Sequence, residues 1–331
     1  MSGMQLYPVG IIGTGKYVPE RILTNHDLEQ MVETNDEWIV SRTGIRERRI
    51  AAPEQATSDL AYHAAEAALR ASGVAAEDLD LILVATITPD MFFPSTACLV
   101  QEKLGAKKAA AFDLSAACSG FIYGLATASN MIATGMYKHV LVIGAECLSR
   151  ITDYTDRNTC ILFGDGAGAV VLGRVPEGRG FKSFELGADG SGGELLNVRG
   201  GGSRLPSTKE SVDSKAHYLF MAGNDVFKFA VRIMGSAAEE ALRKAGMDKS
   251  EIDLLVPHQA NIRIIQSALN RLDLQEEKSM INLDKYGNMS AASIPVALAE
   301  AVEEGRVQEG DKLVLVGFGG GLTWGASVLV W

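Results

Sequence analysis

The sequence contains little of what metal sites, disulfide scaffolds and secretion signals require. Its 331 residues include four cysteines and five histidines, with no Cys-x-x-Cys pair and no histidine at metal-ligand spacing from a cysteine. A metal site is therefore not expected, and neither are disulfides. Residues 1–9 lack a basic stretch followed by an apolar one, so we expect no signal peptide and a cytoplasmic protein.

Charge and hydropathy argue against two further classes of protein. The formal net charge of −10 is unlike that of a general nucleic-acid binder. Residues 114–137 carry no charge and are long enough to span a bilayer, but serines, glycines, threonines and an asparagine interrupt them. A helix buried on all sides explains this mixture better than a membrane span. The hydrophobic fraction of 47% supports a substantial core, in one large domain or two ordinary ones.

The two halves of the chain resemble each other at one fixed offset. Four segments share an offset of 173 residues: 64–70 with 237–243, Gly73 with Gly246, 79–84 with 252–257, and 140–144 with 313–317. These gapless matches indicate an internal repeat of about 150 to 170 residues. We therefore predict two related halves, residues 1–178 and residues 179–331.

Each half predicts the same order of elements. An Ala-rich amphipathic helix ends at a glycine, a short apolar strand follows, and a further helix and strand come next. This alternation is typical of an α/β fold with mostly parallel strands. Two such halves side by side predict five layers in the order αβαβα. The offset maps Cys118 onto Ala291, so the helix near residues 290–295 is predicted to be the twin of the cysteine's helix at the centre.

Cys118 is the first candidate for chemistry. It lies in the run Asp113-Leu-Ser-Ala-Ala-Cys-Ser-Gly120, which predicts a tight turn from a strand into a helix. The unpaired N–H groups and the dipole at a helix N-terminus stabilise an anion, so we expect a lowered thiol pKa and a nucleophile. The alternative is a buried cysteine that only packs, which is common.

Three further segments offer partners for a nucleophile. His258 ends the apolar run 252–257, and ligands of α/β sheets lie beyond the carboxyl ends of strands. Asn288 precedes the predicted twin helix, where its amide either caps the helix or faces a site. The glycine run from Gly317 to Gly325 follows another strand and allows backbone N–H groups to face a ligand. A satisfied core histidine, a capping asparagine and ordinary turn glycines are the alternatives.

Two other kinds of enzyme share parts of this pattern. A papain-like cysteine hydrolase also uses Cys, His and Asn in that order, but its fold is not a duplicated α/β repeat. A dinucleotide-binding oxidoreductase is suggested by the glycines from Gly10 to Gly15. Its spacing fails because Val18 stands where the third glycine belongs, and Pro19 disfavours the helix that should follow.

Taken together, these runs resemble the beta-ketoacyl-acyl carrier protein synthases III, the condensing enzymes that start fatty-acid synthesis, with a thiolase-type fold. The resemblance extends over nearly the whole chain. It is carried by Gly13-Thr-Gly-Lys-Tyr-Val-Pro19, Thr34-Asn-Asp-Glu-Trp-Ile39, Arg42-Thr-Gly-Ile45, Ala116-Ala-Cys118, Asp156-Arg157, Phe163-Gly-Asp-Gly-Ala-Gly168, Met221-Ala-Gly-Asn-Asp-Val-Phe-Lys228, His258-Gln-Ala-Asn261, Tyr286-Gly-Asn288 and the glycine-rich close.

The resemblance implies a role for each candidate. Cys118 would accept the primer acyl group, while His258 and Asn288 would donate hydrogen bonds to the thioester oxygen of malonyl carrier protein. The backbone N–H groups of Cys118 and Gly320 would form the oxyanion hole. The resemblance thus implies an acyltransferase whose product is a 3-oxoacyl carrier protein, released with CoA and CO2. It implies no cofactor, because the CoA thioester is a substrate. Asn288 indicates the initiating branch, since elongating synthases have a second histidine there.

The resemblance also assigns binding residues. Those for CoA are Thr34, Trp38, Arg42, Arg157, Asn224 and Asn261, with Trp38 and Arg157 on either side of the adenine. Phe318 and Phe93 would line the acyl pocket, Phe93 by crossing the interface of a homodimer, although Phe92 is adjacent. Two groups of basic residues stand out: Arg42, Arg46, Arg48 and Arg49, and Lys228, Arg232 and Arg263. The second group would dock the acidic acyl carrier protein; the alternative for both is an ordinary solvated face.

Acyl carrier protein and acyl-CoA are thus the expected partners, with no nucleic acid and no membrane. Two alternatives stay open within this interpretation: a related acyltransferase such as a polyketide starter synthase, and a non-catalytic CoA-binding protein. Motifs do not define the chain length or branching of the primer, which depend on the shape of the pocket.

Overall fold

The computed structural model describes residues 6–331. The first half of the chain supplies seven strands and five helices. They are β1 (Val9–Tyr17), β2 (Arg21–Thr24), α1 (Asn25–Glu29), α2 (Asp36–Thr43), β3 (Glu47–Ile50), α3 (Thr57–Ser72), β4 (Leu81–Ala85), α4 (Thr96–Leu104), β5 (Ala110–Leu114), α5 (Gly120–Ala133), β6 (Val140–Cys147) and β7 (Asp165–Arg174).

The second half repeats the larger elements and adds short ones. They are β8 (Gly180–Ala188), β9 (Leu196–Val198), α6 (Lys209–Asp213), β10 (Leu219–Met221), α7 (Gly223–Ala245), β11 (Leu254–Pro257), α8 (Ile262–Leu272), α9 (Leu283–Tyr286), α10 (Ser293–Glu303), β12 (Lys312–Gly319) and β13 (Thr323–Val330). The chain leaves β7 at Arg174 and enters β8 at Gly180. The boundary at residue 178 stays a prediction.

Two main sheets have the same strand order. The first runs β1-β7-β6-β4-β5, and the second runs β8-β13-β12-β11. The strand β4 begins at Leu81 and β11 at Leu254, which reproduces the offset of 173. Among residues 6–331 no strand of the second sheet corresponds to β5; a parallel bridge between Leu255 and Ser279 lies beside β11 instead. The predicted duplication is confirmed.

The sheets are mixed, so the prediction of mostly parallel strands is wrong. Strand β4 is parallel to both β5 and β6, but β7 is antiparallel to β6 and to β1. In the second sheet β11 is parallel to β12, while β13 is antiparallel to β12 and to β8. Parallel pairing needs a long crossover, usually a helix. No α-helix separates β6 from β7 or β12 from β13, and these strands therefore pair antiparallel.

The layers follow the predicted order. Helices α3 and α4 cover one face of the first sheet, and α7 and α8 cover the far face of the second. Helices α5 and α10 lie between the sheets, where a single apolar core joins residues of both halves. The described residues contain no helix that is long and apolar enough to cross a membrane. The uncharged segment 114–137 instead forms the end of β5, a turn and the central helix α5.

The two central helices begin in the same way. A single 3₁₀ turn precedes each, at Ala117–Ser119 and at Ser290–Ala292. The first residue of each turn is left-handed, with φ of 46° at Ala117 and 47° at Ser290. These residues are again 173 apart, so the predicted twin of the cysteine's helix is confirmed. The centre is tightly packed: a Cβ on Gly144 would lie 2.1 Å from the Ala291 carbonyl oxygen.

The early glycines have a packing role. Strand β1 continues through Gly10, Gly13 and Gly15 without a helix start, which agrees with the rejection of a dinucleotide motif. A Cβ on Gly15 would lie 2.3 Å from the Ala68 backbone nitrogen. The glycine therefore allows α3 to pack close against the sheet.

Candidate active site

A cavity of about 490 Å³ lies where the ends of β5, β11 and β12 meet the starts of the central helices. Cys118, His258 and Asn288 all line it, although they are far apart in the chain. Phe318 and Gly320 line it as well. A single chain therefore brings together all five of these residues, which were predicted to form the catalytic site, the oxyanion hole and the acyl pocket. The lining is mostly apolar, as in sites that bind small organic groups.

Cys118 lies in the turn between β5 and α5 and is 8% exposed. The Ser119 hydroxyl lies 2.8 Å from both the Ala116 carbonyl oxygen and Thr323 Oγ1; it donates to the carbonyl and accepts from the Thr323 hydroxyl, and so fixes the turn against β13. The position at a helix start agrees with the prediction. The expected lowering of the thiol pKa is wrong, because burial raises the pKa of Cys118 to about 12. Desolvation of the thiolate is the main cause of this rise, and the nearby Glu146 carboxylate acts in the same direction.

His258 follows β11 directly and is 1% exposed. Its backbone N–H donates to the Val316 carbonyl at 2.8 Å, which joins the ends of β11 and β12. Its Nδ1 has no hydrogen-bond partner among the described residues. Burial lowers the pKa of His258 to about 3. The imidazole is therefore neutral at physiological pH and offers one N–H donor rather than a positive charge.

Asn288 lies between α9 and the turn that starts α10, and it is 8% exposed. Its backbone N–H donates to the Leu162 carbonyl at 2.9 Å, and its carbonyl accepts from Gly164. The side-chain oxygen accepts from the Ser290 backbone N–H at 2.8 Å. The amide oxygen therefore fixes the turn before α10, but Asn288 is not the N-cap residue of the turn or of the helix. The side chain also lines the cavity.

The glycine run after β12 is held against the cysteine. A Cβ on Gly319 would lie 2.5 Å from the Cys118 backbone nitrogen and 3.0 Å from the Ala117 Cβ. This approach brings the backbone of Gly320 to the cavity beside Cys118. Phe318 meets the His258 ring edge-on, with centroids 5.8 Å apart. The aromatic ring therefore limits how the imidazole can rotate.

Two arginines stack on Trp38 at the surface. The Arg157 guanidinium lies 5.0 Å from the Trp38 ring centroid, and the Arg42 guanidinium lies 5.7 Å from it. Arg157 also donates to the Glu33 carbonyl at 3.1 Å. The hydroxyl of Thr34 is buried and has no partner among the described residues. The resemblance predicts that adenine binds between Trp38 and Arg157. Because the Arg157 guanidinium already stacks on the Trp38 ring, it would have to move when adenine binds.

The two asparagines assigned to the CoA tunnel differ. Asn261 lines the cavity, donates to the Arg42 carbonyl at 2.9 Å and accepts from the Arg263 backbone N–H at 2.9 Å as the N-cap of α8. Asn224 is exposed in the first turn of α7 and lies outside the cavity lining. Asn261 thus ties α8 to the segment after Trp38, whereas Asn224 is free to face a long ligand.

The same constellation has relatives among known proteins. The family described as 3-oxoacyl-[acyl-carrier-protein (ACP)] synthase III matches residues 112–190, and its C-terminal part matches residues 242–331. A beta-ketoacyl-[acyl-carrier-protein] synthase III of Desulfitobacterium hafniense is 62% identical over 323 residues, which are 98% of each chain. The chain belongs to the 3-oxoacyl-ACP synthase III family. The predicted function of a beta-ketoacyl-ACP synthase III, an acyltransferase of fatty-acid biosynthesis, is confirmed.

Solved structures agree with this assignment. The synthase III of Aquifex aeolicus superimposes with a TM-score of 0.91 at 50% identity, covering 98% of this chain and all of that one. The priming beta-ketosynthase of the R1128 polyketide pathway has a TM-score of 0.92 but 34% identity, covering 100% and 98%. The thiolase-like fold is therefore confirmed, and sequence identity favours the fatty-acid synthases over the polyketide starter enzyme.

Phe93, which the synthase III resemblance assigns to the acyl pocket, does not line the cavity within a single chain. Phe93 is 85% exposed and Phe92 is 82% exposed, and neither lines the site. They stand in the loop between β4 and α4, next to the half-exposed Met91. Two adjacent exposed phenylalanines form an apolar patch of the kind that marks an interaction surface.

The basic residues separate into exposed and buried ones. Lys228 and Arg232 are exposed on α7, and Arg263 on α8 stacks on Phe227, which lines the cavity. Lys228 lies 3.7 Å from the Asp225 carboxylate. Arg48, in contrast, is fully buried and donates to the carbonyls of Leu23 and Ile161 and to Asn25. Arg48 therefore joins β2 and β3 to the chain near Arg157 and is no part of a solvated basic face.

Sequence reasoning missed two polar groups behind the synthase III cavity. Glu146 is fully buried near the end of β6, and Ser290, whose hydroxyl is also buried, lies beside both Glu146 and Cys118. A signal for Glu146 is present in the sequence, since it is the one charged residue in the otherwise apolar run Val140–Cys147. The described residues contain no group of three or more His, Cys, Asp or Glu side chains arranged to hold a metal ion.

Proposed function

We propose that the protein condenses a short acyl group, delivered as an acyl-CoA, with malonyl-ACP to give 3-oxoacyl-ACP, CoA and CO2. The observation that carries this proposal is the convergence of three buried residues, Cys118, His258 and Asn288, on one cavity beside the glycine run of β12. A nucleophile, two neutral hydrogen-bond donors and a backbone oxyanion site are what the two half-reactions require.

In the first half-reaction the Cys118 sulfur attacks the acyl carbonyl carbon of the CoA thioester. The carbonyl oxygen becomes an oxyanion, which the backbone N–H groups of Cys118 and Gly320 would hold. The close packing of Gly319 on the Cys118 nitrogen supports this role, because it fixes the two donors relative to each other. The C–S bond to CoA then breaks, and the acyl group remains on Cys118.

In the second half-reaction malonyl-ACP loses CO2 and leaves an enolate. His258 and Asn288 would donate to its thioester oxygen. Their neutrality suits this task, since a neutral donor stabilises the forming negative charge without protonating the enolate before it attacks. The enolate carbon attacks the acyl carbon on Cys118 and releases the sulfur. Loss of CO2 supplies the carbanion in this scheme, so we propose that no cofactor takes part.

Three surfaces complete the proposal. The stack of Trp38 with Arg157 and Arg42 at the surface would bind the CoA nucleotide, with Thr34, Asn224 and Asn261 along its path. Lys228, Arg232 and Arg263 would dock the acidic carrier protein, because α7 and α8 carry them beside the cavity lining.

The exposed Phe92 and Phe93 support a homodimer in which Phe93 closes the acyl pocket of the second copy, with Phe318 on the other side. A cytoplasmic location also stays a prediction.

Intact-protein mass spectrometry with acetyl-, isobutyryl- and isovaleryl-CoA tests the proposal. We expect one acyl adduct per chain that is absent in Cys118→Ser and is discharged when malonyl-ACP is added. Cys98→Ser is the matched control, because Cys98 is the exposed cysteine that non-enzymatic acylation would modify first. An adduct that persists in Cys118→Ser but disappears in Cys98→Ser would contradict the role of Cys118. No adduct from any of the thioesters would leave a CoA-binding protein without this chemistry.

A further inference from the structure

Glu146 is a buried carboxyl group that the proposed mechanism does not use. It is 0% exposed, on the strand β6. It accepts hydrogen bonds from Thr88 Oγ1 at 2.5 Å, from Thr86 Oγ1 at 3.2 Å and from the Ile87 backbone N–H at 3.2 Å. No Lys, Arg or His among the described residues forms an ion pair with it. A buried carboxyl without a cation is costly to keep, and perturbed groups of this kind concentrate at functional sites.

Ser290 lies beside both Glu146 and Cys118. Its turn packs against β6 and against the turn that carries Cys118, and its side chain lines the cavity. Its Oγ is buried and forms no hydrogen bond among the described residues. The backbone N–H of Ser290 donates to Asn288 at 2.8 Å, and its φ of 47° is strained for a residue other than glycine. The Ser290 hydroxyl can therefore accept a hydrogen bond from one of the two titratable groups, Cys118 and Glu146, and donate one to the other.

The titratable groups around the sulfur differ in their affinity for a proton. Burial raises the pKa of Cys118 to about 12 and that of Glu146 to about 7, and it lowers the pKa of His258 to about 3. Cys147, next to Glu146 on β6, has a pKa raised by burial to about 12 and stays protonated. The turn before α10 faces Glu146 with the Ser290 hydroxyl, and the segment after β4 faces it with two threonines. A proton that leaves Cys118 is therefore held more firmly by Glu146 than by His258.

We propose that Ser290 carries a proton between the Cys118 sulfur and the Glu146 carboxylate during each half-reaction. The inference rests on the proposed role of Cys118 as the acyl carrier. It assigns Ser290 to direct contact with the reacting sulfur, and Glu146 to a positioning role as the proton store behind it.

The protons balance over one cycle. In acylation the bond from sulfur to the acyl carbon forms as the Cys118 proton passes to Ser290 Oγ, and the Ser290 proton passes to Glu146. CoA leaves as a thiolate and takes one proton from solvent. In condensation the enolate carbon displaces the Cys118 sulfur as a thiolate. Glu146 returns its proton through Ser290, which restores the thiol and the carboxylate. The net uptake of one proton matches the conversion of a malonyl carboxylate to CO2.

The test is the rate of Cys118 acylation by acetyl-CoA in a single turnover, measured by rapid quench and intact mass at a series of pH values. The wild-type rate is expected to rise with pH around a midpoint near 7, because Glu146 has to be ionised to accept the proton. Glu146→Gln is expected to lose this inflection and to acylate about 100-fold more slowly. Ser290→Ala is expected to be slowed about tenfold or more, with the inflection lost as well.

Two matched variants control for structural damage. Asp165→Asn removes another buried carboxyl, one that accepts from Ser149 and Ala51 away from the sulfur. Ser293→Ala removes a buried hydroxyl one turn along, which accepts from the Met289 backbone. Both are expected to keep the inflection near pH 7. Ser290→Ala is itself a conservative probe, because alanine occupies the twin position 117 with nearly the same φ.

The outcomes separate the relay from the function on which it rests. Absence of an adduct on wild-type Cys118 would overturn the proposed role of the cysteine. A wild-type adduct together with an inflection that persists in Glu146→Gln would overturn the relay alone. Should Glu146→Gln fail to fold, Ser290→Ala decides: a wild-type rate and pH profile in that variant excludes the relay.

Discussion

The contact between Gly319 and Cys118 gives the sharpest test of the oxyanion site. In Gly319→Ala the new methyl group would lie 2.5 Å from the Cys118 nitrogen, whereas ordinary contacts begin at 3.4 Å. The end of β12 therefore has to move by about 1 Å. Displacements of that size at a reacting centre reduce rates by about 100-fold, similar to the loss of one oxyanion donor, or about 2.7 kcal/mol of transition-state stabilisation.

We expect the variant to lose about 100-fold in the rate of Cys118 acylation. Release of CO2 from malonyl-ACP should fall much less, since His258 and Asn288 rather than the glycine run are assigned to that step. Rapid-quench mass spectrometry measures the first rate, and trapping of labelled CO2 measures the second. Gly190→Ala is the control, because a Cβ there meets nothing within 4 Å. Acylation of Gly319→Ala at the wild-type rate would refute the clamped oxyanion site.

Two further predictions concern Asn288 and Glu146. Asn288→Ala should reduce CO2 release from malonyl-ACP by about 100-fold while self-acylation falls less, measured by the same two assays; an equal loss in both would contradict its assignment to the enolate. For stability, the pKa of Glu146 rises from 4.5 in the unfolded chain to about 7 in the fold, so the native state binds more protons and its stability declines as pH rises between these values. Chemical denaturation from pH 4 to pH 8 should therefore show that the free energy of unfolding of the wild type falls by about 3 kcal/mol relative to that of Glu146→Gln. If the two proteins show the same dependence of unfolding free energy on pH, the raised pKa of Glu146 is contradicted.

The contrast between Cys118 and its surroundings shows how the site combines two demands. A thiol at a helix start is favourably placed to form an anion, but burial raises its pKa to about 12 and keeps it protonated at neutral pH. The fate of the thiol proton is therefore part of the chemistry, which is why Glu146 and Ser290 matter.

Much of the fold was predictable from the sequence because the internal repeat can be recognised in short stretches of residues. Apolar strands, Ala-rich helices and the offset of 173 residues depend on composition and spacing. These patterns predicted the five layers and the twin helices near Cys118 and Ala291. Cys118, His258 and Asn288 were found in the same way, since each follows a strand or precedes a helix in a recognisable motif. The antiparallel return of β7 and β13 was missed because it depends on which connections lack a helix.

The remaining features were decided by tertiary structure. The raised pKa of Cys118, the lowered pKa of His258 and the burial of Arg48 all follow from how completely distant segments exclude water, and no short window of sequence specifies that. Glu146 and Ser290 are 144 residues apart, and only the packing of β6 against the turn before α10 brings them together. The sequence by itself determined which groups are present and the elements that carry them. The tertiary structure decided their solvation and their neighbours, because desolvation and proximity depend on the whole fold.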